Sequence, residues 1–161
     1  MRKHFPELQP GATPIEEIQF DLRSRDEIPK LLMGLQYIYG TPEPREQVFC
    51  LLEEIILADL NNGRPGMELW KILVLGTLRL SCNLDYDKLQ ELVNNHKRLR
   101  QMLGHPNADE SYYALQTLKD NVALLTPEIL DRINQVVVKA GHRLLKKTKR
   151  KISEHGVTRL W

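Results

Sequence analysis

The chain has few of the residues that mark secreted, metal-binding or membrane-spanning proteins. Its 161 residues include two cysteines, Cys50 and Cys82, which are too few for a disulfide framework and wrongly spaced for a zinc site. The longest apolar run, residues 72–78, is far shorter than the roughly 20 residues that cross a bilayer. No apolar segment follows the basic start, so we expect no secretory signal. We therefore expect a cytoplasmic protein, away from membranes, with buried free thiols.

Sequence signatures of catalysis are also missing. The chain contains no GxSxG, GxxxxGK[ST], HExxH or CxxC motif, and none of its five histidines lies four residues from another. Acidic pairs such as Glu16-Glu17 and Glu53-Glu54 are adjacent in sequence, so their side chains point in different directions. We predict that the chain is not an enzyme and uses no metal or cofactor.

The charges are distributed unevenly along the chain. The formal net charge is +2, but residues 1–63 carry −5, residues 64–100 carry +3, residues 101–138 carry −3 and residues 139–161 carry +7. Two basic segments therefore lie within an otherwise acidic chain, and this pattern favours a polyanionic partner.

The hydrophobic pattern predicts an all-α fold, a single domain of six to seven helices. Residues 1–24, which contain Pro6, Pro10 and Pro14, are predicted to form an extended arm with a short half-buried strand at residues 18–22. Residues 25–145 are predicted to be the helical domain, and residues 146–161 a basic tail.

Local signals predict where these helices begin. Ser24 or Asp26, Pro42, Asp85, Lys97, Asp109 or Ser111, and Thr126-Pro127 are the expected starts, and Tyr112 is expected on the apolar face of the sixth helix. Residues 67–80 are apolar almost all round, which predicts a central buried helix.

A helix-turn-helix-like pair is predicted at residues 67–80 and 85–94. The second helix is acidic, and Lys88 is its only residue that would favour contact with DNA. A basic stretch follows it directly. In this stretch Leu99 and Leu103 are expected to face the core. The polar residues are expected to face outward and to contact DNA: His96, Lys97, Arg98, Arg100 and Gln101. The alternative is an ordinary solvated face of a helical bundle.

A second basic segment follows the last predicted helix. Its candidate phosphate contacts, with no acidic residue among them, are Arg143, Lys146, Lys147, Lys149, Arg150 and Lys151. Seven like charges, counting Lys139, repel one another unless solvent or a partner neutralises them. A lysine-rich solubilising tail is the alternative interpretation.

The ordered motifs of residues 63–104 resemble the N-terminal domain of bacterial insertion-sequence transposases. They are Gly63-Arg64-Pro65, the segment LDYDKL at 84–89 and the segment LRQMLG at 99–104. The flanks, IPKLLMGLQYIY at 28–39 and residues 115–147, are similar to the ISNCY-type subgroup. The resemblance covers roughly residues 1–147.

The resemblance implies binding to double-stranded DNA at the terminal inverted repeats of the cognate element. In such proteins a later RNase H-like domain with three acidic metal ligands cuts and joins the DNA. We expect a transposase truncated before that domain, because residues 148–161 depart from the family pattern. Arg64 would meet phosphate, Lys88 and residues 96–101 would enter or flank a groove, and the tail would add nonspecific affinity.

A rival hypothesis assigns the chain to another class, a helical assembly module. Residues 42–59 and 127–145 would then pair two copies, giving a homo-oligomer or an inhibitor of a full-length transposase. A folded remnant without function is a third hypothesis.

Overall fold

The computed structural model describes residues 3–21, 23–58 and 66–139, with the side chains of 55–58 excepted, and these residues form a helical bundle without a β-strand. The all-α prediction is confirmed. After a 3-10 turn at Ile15–Glu17, the helices are α1 (Glu27–Gly40), α2 (Pro42–Ala58), α3 (Leu69–Ser81), α4 (Tyr86–Asn95), α5 (Lys97–Met102), α6 (Leu115–Val122) and α7, whose described part spans 127–139.

Helix α3 is the centre of the bundle, as its apolar sequence predicts. Every side chain from Ile72 to Leu78 is buried, as are Leu69 and Trp70. Helices α1, α2, α4 and α6 all pack against it. The indole N–H of Trp70 donates to the Met102 carbonyl at 2.7 Å, which ties α3 to the end of α5. A helix surrounded in this way can keep only a narrow polar stripe.

Side-chain caps begin several of the helices at the predicted places. Asp26 accepts the N–H of Ile28 at the start of α1, and Asp85 accepts that of Lys88 at the start of α4. Pro42 occupies the first position of α2, where its missing N–H costs nothing. These starts follow from local chemistry, so the sequence pattern was sufficient to find them.

The N-terminal arm lies against the bundle. Glu68 provides no side-chain cap for α3; instead the carbonyls of Lys3 and His4 accept the N–H groups of Leu69 and Trp70, each at 2.9 Å. The ring of Phe5 contacts those of Tyr39, Phe49 and Trp70, with ring centroids 4.8–6.0 Å apart. The arm therefore completes both the first turn of α3 and the aromatic part of the core.

The prediction of a strand at residues 18–22 is wrong for residues 18–21, the part of it that the structure describes. Ile15 and Ile18 flank the 3-10 turn and are both buried, which a spacing of three residues achieves in a turn. The side-chain amide of Gln36 donates to the carbonyls of Ile15 and Ile18 at 2.7 and 3.0 Å. Because α1 supplies these hydrogen bonds, the segment needs no partner strand.

The sixth helix begins at Leu115, later than the predicted start at Asp109 or Ser111. Asp109 accepts hydrogen bonds from both the N–H and the hydroxyl of Ser111, and the Tyr113 N–H donates to Asn94. These bonds hold residues 109–113 in a loop, and Tyr112 is 72% exposed rather than on a core face. Cys50, expected to be buried, is also exposed.

Candidate nucleic-acid interface

Helices α3 and α4 form a pair joined by a tight turn. Asn83, with φ of 51°, reverses the chain, and the Leu84 N–H donates to the Arg79 carbonyl at 2.9 Å. Leu89 and Val93 bury one side of α4. The exposed charged residues of α4 and its N-cap are Asp85, Asp87, Lys88 and Glu91. Three carboxylates against one ammonium group repel phosphate, so the exposed face of α4 is a poor surface for DNA recognition.

His96 joins α4 to α5 and acts as a cap. Its N–H donates to the Leu92 carbonyl at 2.7 Å, and its Nδ1 accepts the Leu99 N–H at 3.2 Å. Burial lowers the pKa of His96, which keeps the ring neutral near pH 7. His96, predicted to contact DNA, therefore caps the start of α5 and adds no positive charge to the surface.

Lys97 and Arg98 are the two cations in the first turn of α5. Lys97 is exposed, and Arg98 is half-buried with its guanidinium donating to Gln101 Oε1 at 3.0 Å. Among residues 3–21, 23–58 and 66–139, no carboxylate forms an ion pair with either cation. Leu99 and Met102 are fully buried and anchor the helix beneath them. Both cations are thus available to an anionic partner.

Arg100 and Gln101 do not face outward, contrary to expectation. The Arg100 guanidinium donates to the carbonyls of Val93 and Asp109 at 3.1 and 3.0 Å. Gln101 is 4% exposed, and its amide donates to Thr13 and Asn107. Three of the six residues of α5 are buried: Leu99, Gln101 and Met102. Arg100 and Gln101 hold the arm, α4 and the following loop together.

The other predicted contacts are separate from α5 or lie outside the described residues. Lys88 is exposed on α4, about 10 Å along the helix axis from Asn95 at its end. Outside the described residues lie Arg64, Arg143, Lys146, Lys147, Lys149, Arg150 and Lys151.

A cleft of about 680 Å³ lies between the end of the arm and the α4–α5 junction. Arg23 and Arg98 line it, and so do Asp21 and Asp26. Asp21 accepts the Arg23 N–H and Asp26 caps α1, so both carboxylates have local roles. The two pairs of charges cancel, and the cleft by itself selects neither an anion nor a cation.

A buried polar network in the α5–α6 loop, residues 103–114, was not expected from the sequence. His105 is 5% exposed; its Nδ1 lies 2.8 Å from Asp109 Oδ2, and its Nε2 lies 2.6 Å from the Tyr113 hydroxyl. The Lys71 ammonium of α3 lies 5.6 Å from the centroid of the Tyr113 ring and pairs with Glu68 at 3.5 Å. The only sequence signal for this network was the four-residue spacing of His105, Asp109 and Tyr113. The same spacing is typical of an ordinary helix, so it did not point to a polar network.

This network forms one wall of a second cleft, about 390 Å³ in volume, beside Lys97. Asn94, Asn95 and Asn107 also line the cleft. Both ring nitrogens of His105 are already hydrogen-bonded, so the ring has no free lone pair with which to act as a general base. The His–Asp pair therefore stabilises the loop.

Where the structure describes the chain, no three His, Cys, Asp or Glu side chains come together to hold a metal ion. None of the described helices combines the length and apolar character needed to cross a bilayer. No protein-family model, curated protein or solved structure matches this chain. The resemblance to transposases is therefore a hypothesis.

Proposed function

We propose that the chain is a DNA-binding helical domain of the insertion-sequence transposase type. Its partner would be double-stranded DNA at the terminal inverted repeats of the cognate element, and its own role would be binding without catalysis. One observation carries the proposal: Lys97 and Arg98, consecutive residues in the first turn of α5, form no ion pair with a carboxylate among the described residues. A pair of unpaired cations on a rigid helix suits contact with a phosphate backbone.

The acidic face of α4 determines which helix we assign to the DNA contact. Insertion of α4 into a groove would bring Asp87 and Glu91 close to phosphates, whereas contact through α5 keeps them farther away. We therefore assign the contact to the first turn of α5. In this arrangement the cations at 143–151 and Arg64 add sequence-independent affinity.

The test compares two alanine variants by fluorescence anisotropy on a labelled duplex that carries the inverted repeat. Lys97→Ala/Arg98→Ala is expected to weaken binding at least tenfold at about 100 mM salt, since two phosphate contacts are lost. Lys119→Ala removes an exposed cation from α6 and serves as the matched control, with affinity within twofold of the parent chain. Arg100 stays unchanged because its loss would disturb the fold.

Equal affinities of the parent chain and the double variant would exclude the assigned face. A shuffled duplex separates the two kinds of binding. Specific recognition requires a preference for the inverted repeat, while equal binding to both duplexes would reduce the function to backbone affinity.

A second candidate, the assembly module, is favoured by one observation on α7. Val138 is 54% exposed at the end of its described part, beyond the contact that Arg132 makes with Glu54 of α2 at 2.8 Å. An apolar side chain there could pair with a second copy. Light scattering of the free protein tests this candidate: a stable dimer indifferent to DNA would favour it over the proposed function.

A further inference from the structure

Lys97 and Arg98 follow one another in α5, but their charged groups are held differently. Lys97 is exposed, and its ammonium group forms no hydrogen bond among the described residues. Arg98 is half-buried, and its Nη1 donates to the side-chain oxygen of Gln101 at 3.0 Å. A hydrogen bond to a buried partner restrains the guanidinium before any ligand binds. The two cations therefore offer an anionic partner different kinds of donor.

The Gln101 amide has its own orientation fixed by its neighbours. Gln101 is 4% exposed, and its NH2 group donates to Asn107 Oδ1 at 3.2 Å and to the Thr13 hydroxyl at 3.5 Å. A guanidinium group can only donate, so the amide oxygen has to face Arg98 and the amide nitrogen has to face the other two partners. The arm and the α5–α6 loop thus determine where the partner of Arg98 lies.

The hydrogen bond to Gln101 leaves one edge of the Arg98 guanidinium unused. Nε and Nη2, which form that edge, make no hydrogen bond and no ion pair among the described residues. Asp21 and Asp26 line the same cleft as Arg98, but they accept backbone N–H groups instead. Two parallel N–H donors match two oxygens of a phosphate, which a lysine ammonium cannot do.

We propose that Gln101 is a positioning residue for the DNA contact: it holds Arg98 so that Nε and Nη2 bind one backbone phosphate in a bidentate contact, while Lys97 contributes its charge alone. The inference rests on the proposed function and assigns different roles to the two cations. Since Arg98 is ordered before DNA binds, little side-chain entropy is lost on binding. Loss of this restraint should weaken binding about three- to tenfold, the effect of immobilising one flexible side chain.

A double-mutant cycle, measured by fluorescence anisotropy on the inverted-repeat duplex, tests the positioning role. Gln101→Met removes the amide and keeps the length of the side chain, and circular dichroism checks that each variant is folded at the temperature used. We expect Gln101→Met to weaken binding about three- to tenfold in the parent chain but less than about twofold in the Arg98→Ala chain, because the amide acts only through Arg98. Equal losses in the two chains would give Gln101 a role in the fold alone and overturn the proposal.

Two exchanges of cation test the bidentate contact without changing the core. Arg98→Lys keeps the positive charge and loses the two-donor edge, so it should weaken binding by about fivefold or more. Lys97→Arg is the matched control on the neighbouring residue, and its affinity should stay within about twofold of the parent chain. If Arg98→Lys binds as tightly as the parent chain, Arg98 acts as a point charge and the bidentate contact is excluded.

NMR of the free protein separates this inference from the proposed function. The order parameter of the Arg98 Nε–H bond should be high in the parent chain and should fall in Gln101→Met, in the absence of DNA. A mobile Nε–H bond in the parent chain would overturn the positioning role even if the protein binds DNA. Conversely, an ordered Arg98 in a chain whose Lys97→Ala/Arg98→Ala variant keeps full affinity would overturn the proposed function, and the phosphate contact with it.

Discussion

Gly76 lies in the middle of α3, where the side chain of Leu125 packs directly over its Cα. A Cβ at position 76 would lie 2.8 Å from Leu125 Cβ, closer than real Cβ atoms approach. Leu125 is fully buried and has no room to retreat. Glycine is a poor helix former, but at position 76 its missing side chain lets Leu125 pack directly against the backbone of α3.

We expect Gly76→Ala to lower the free energy of unfolding by about 1–3 kcal/mol, because overpacking outweighs the gain in helix propensity. Gly34→Ala is the matched control: it lies in α1 with no atom within 4 Å of the added Cβ, and it should stabilise by about 0.5–1 kcal/mol. Urea denaturation measures both. Stabilisation by both alanines would mean that Leu125 does not cover position 76.

At the scale of elements, α5 shows how one short helix divides its cations between two roles. Lys97 faces solvent, whereas Arg100 binds the carbonyl of Val93 near the end of α4 and that of Asp109 in the following loop. The sequence predicted that both residues face outward. Only the contacts of Arg100 in the folded protein show that it does not.

Arg100→Ala should therefore destabilise the protein by about 1.5–3 kcal/mol, since two carbonyls lose a charged donor. Lys97→Ala, on the same helix, should change stability by less than about 0.5 kcal/mol. Thermal and urea unfolding of the two variants measure the difference. Similar stabilities for the two would contradict the inward position of Arg100.

The arm is the second element whose role can be tested. Phe5→Ala should cost about 1–3 kcal/mol, less than the value for a fully buried phenylalanine, because Phe5 is half-buried against Tyr39, Phe49 and Trp70. Leu8→Ala changes an arm residue that is 66% exposed and should have little effect. Urea denaturation compares the two, and limited proteolysis of the arm should be faster for Phe5→Ala alone.

For the whole molecule, the uneven charge distribution predicts that the proposed DNA binding depends strongly on salt concentration. Residues 139–151 contain seven cations and no acid, so several phosphate contacts are available beyond Lys97 and Arg98. Each contact contributes about 0.9 to the slope of log affinity against log salt concentration.

Replacement of Lys146, Lys147, Lys149, Arg150 and Lys151 by serine should therefore reduce that slope by about 3–5. Anisotropy titrations between 50 and 200 mM salt measure it, with Lys119→Ser as the control. Preference for the inverted repeat over a shuffled duplex should persist in the variant, since the proposal gives residues 146–151 contacts with the DNA backbone only. An unchanged slope would leave the tail without a role in DNA binding.

The sequence by itself determined the all-α class, the central position of α3 and the starts of α1, α2, α4 and α5. Caps, prolines and apolar periodicity act over a few residues, so these features are readable without the fold. The DNA-binding hypothesis and the transposase resemblance also come from the sequence alone, and the anisotropy titrations test DNA binding.

Tertiary structure decided which polar residues reach the surface and where the loops run. Gln101 is buried because Thr13 and Asn107 bind it, and residues 109–113 stay out of α6 because Asn94, His105 and Ser111 satisfy their polar groups. Ile15 and Ile18 form no strand because Gln36 of α1 takes their carbonyls. In most of these cases the deciding hydrogen bond joins residues far apart in the chain, and local pattern carries no information about such a partner.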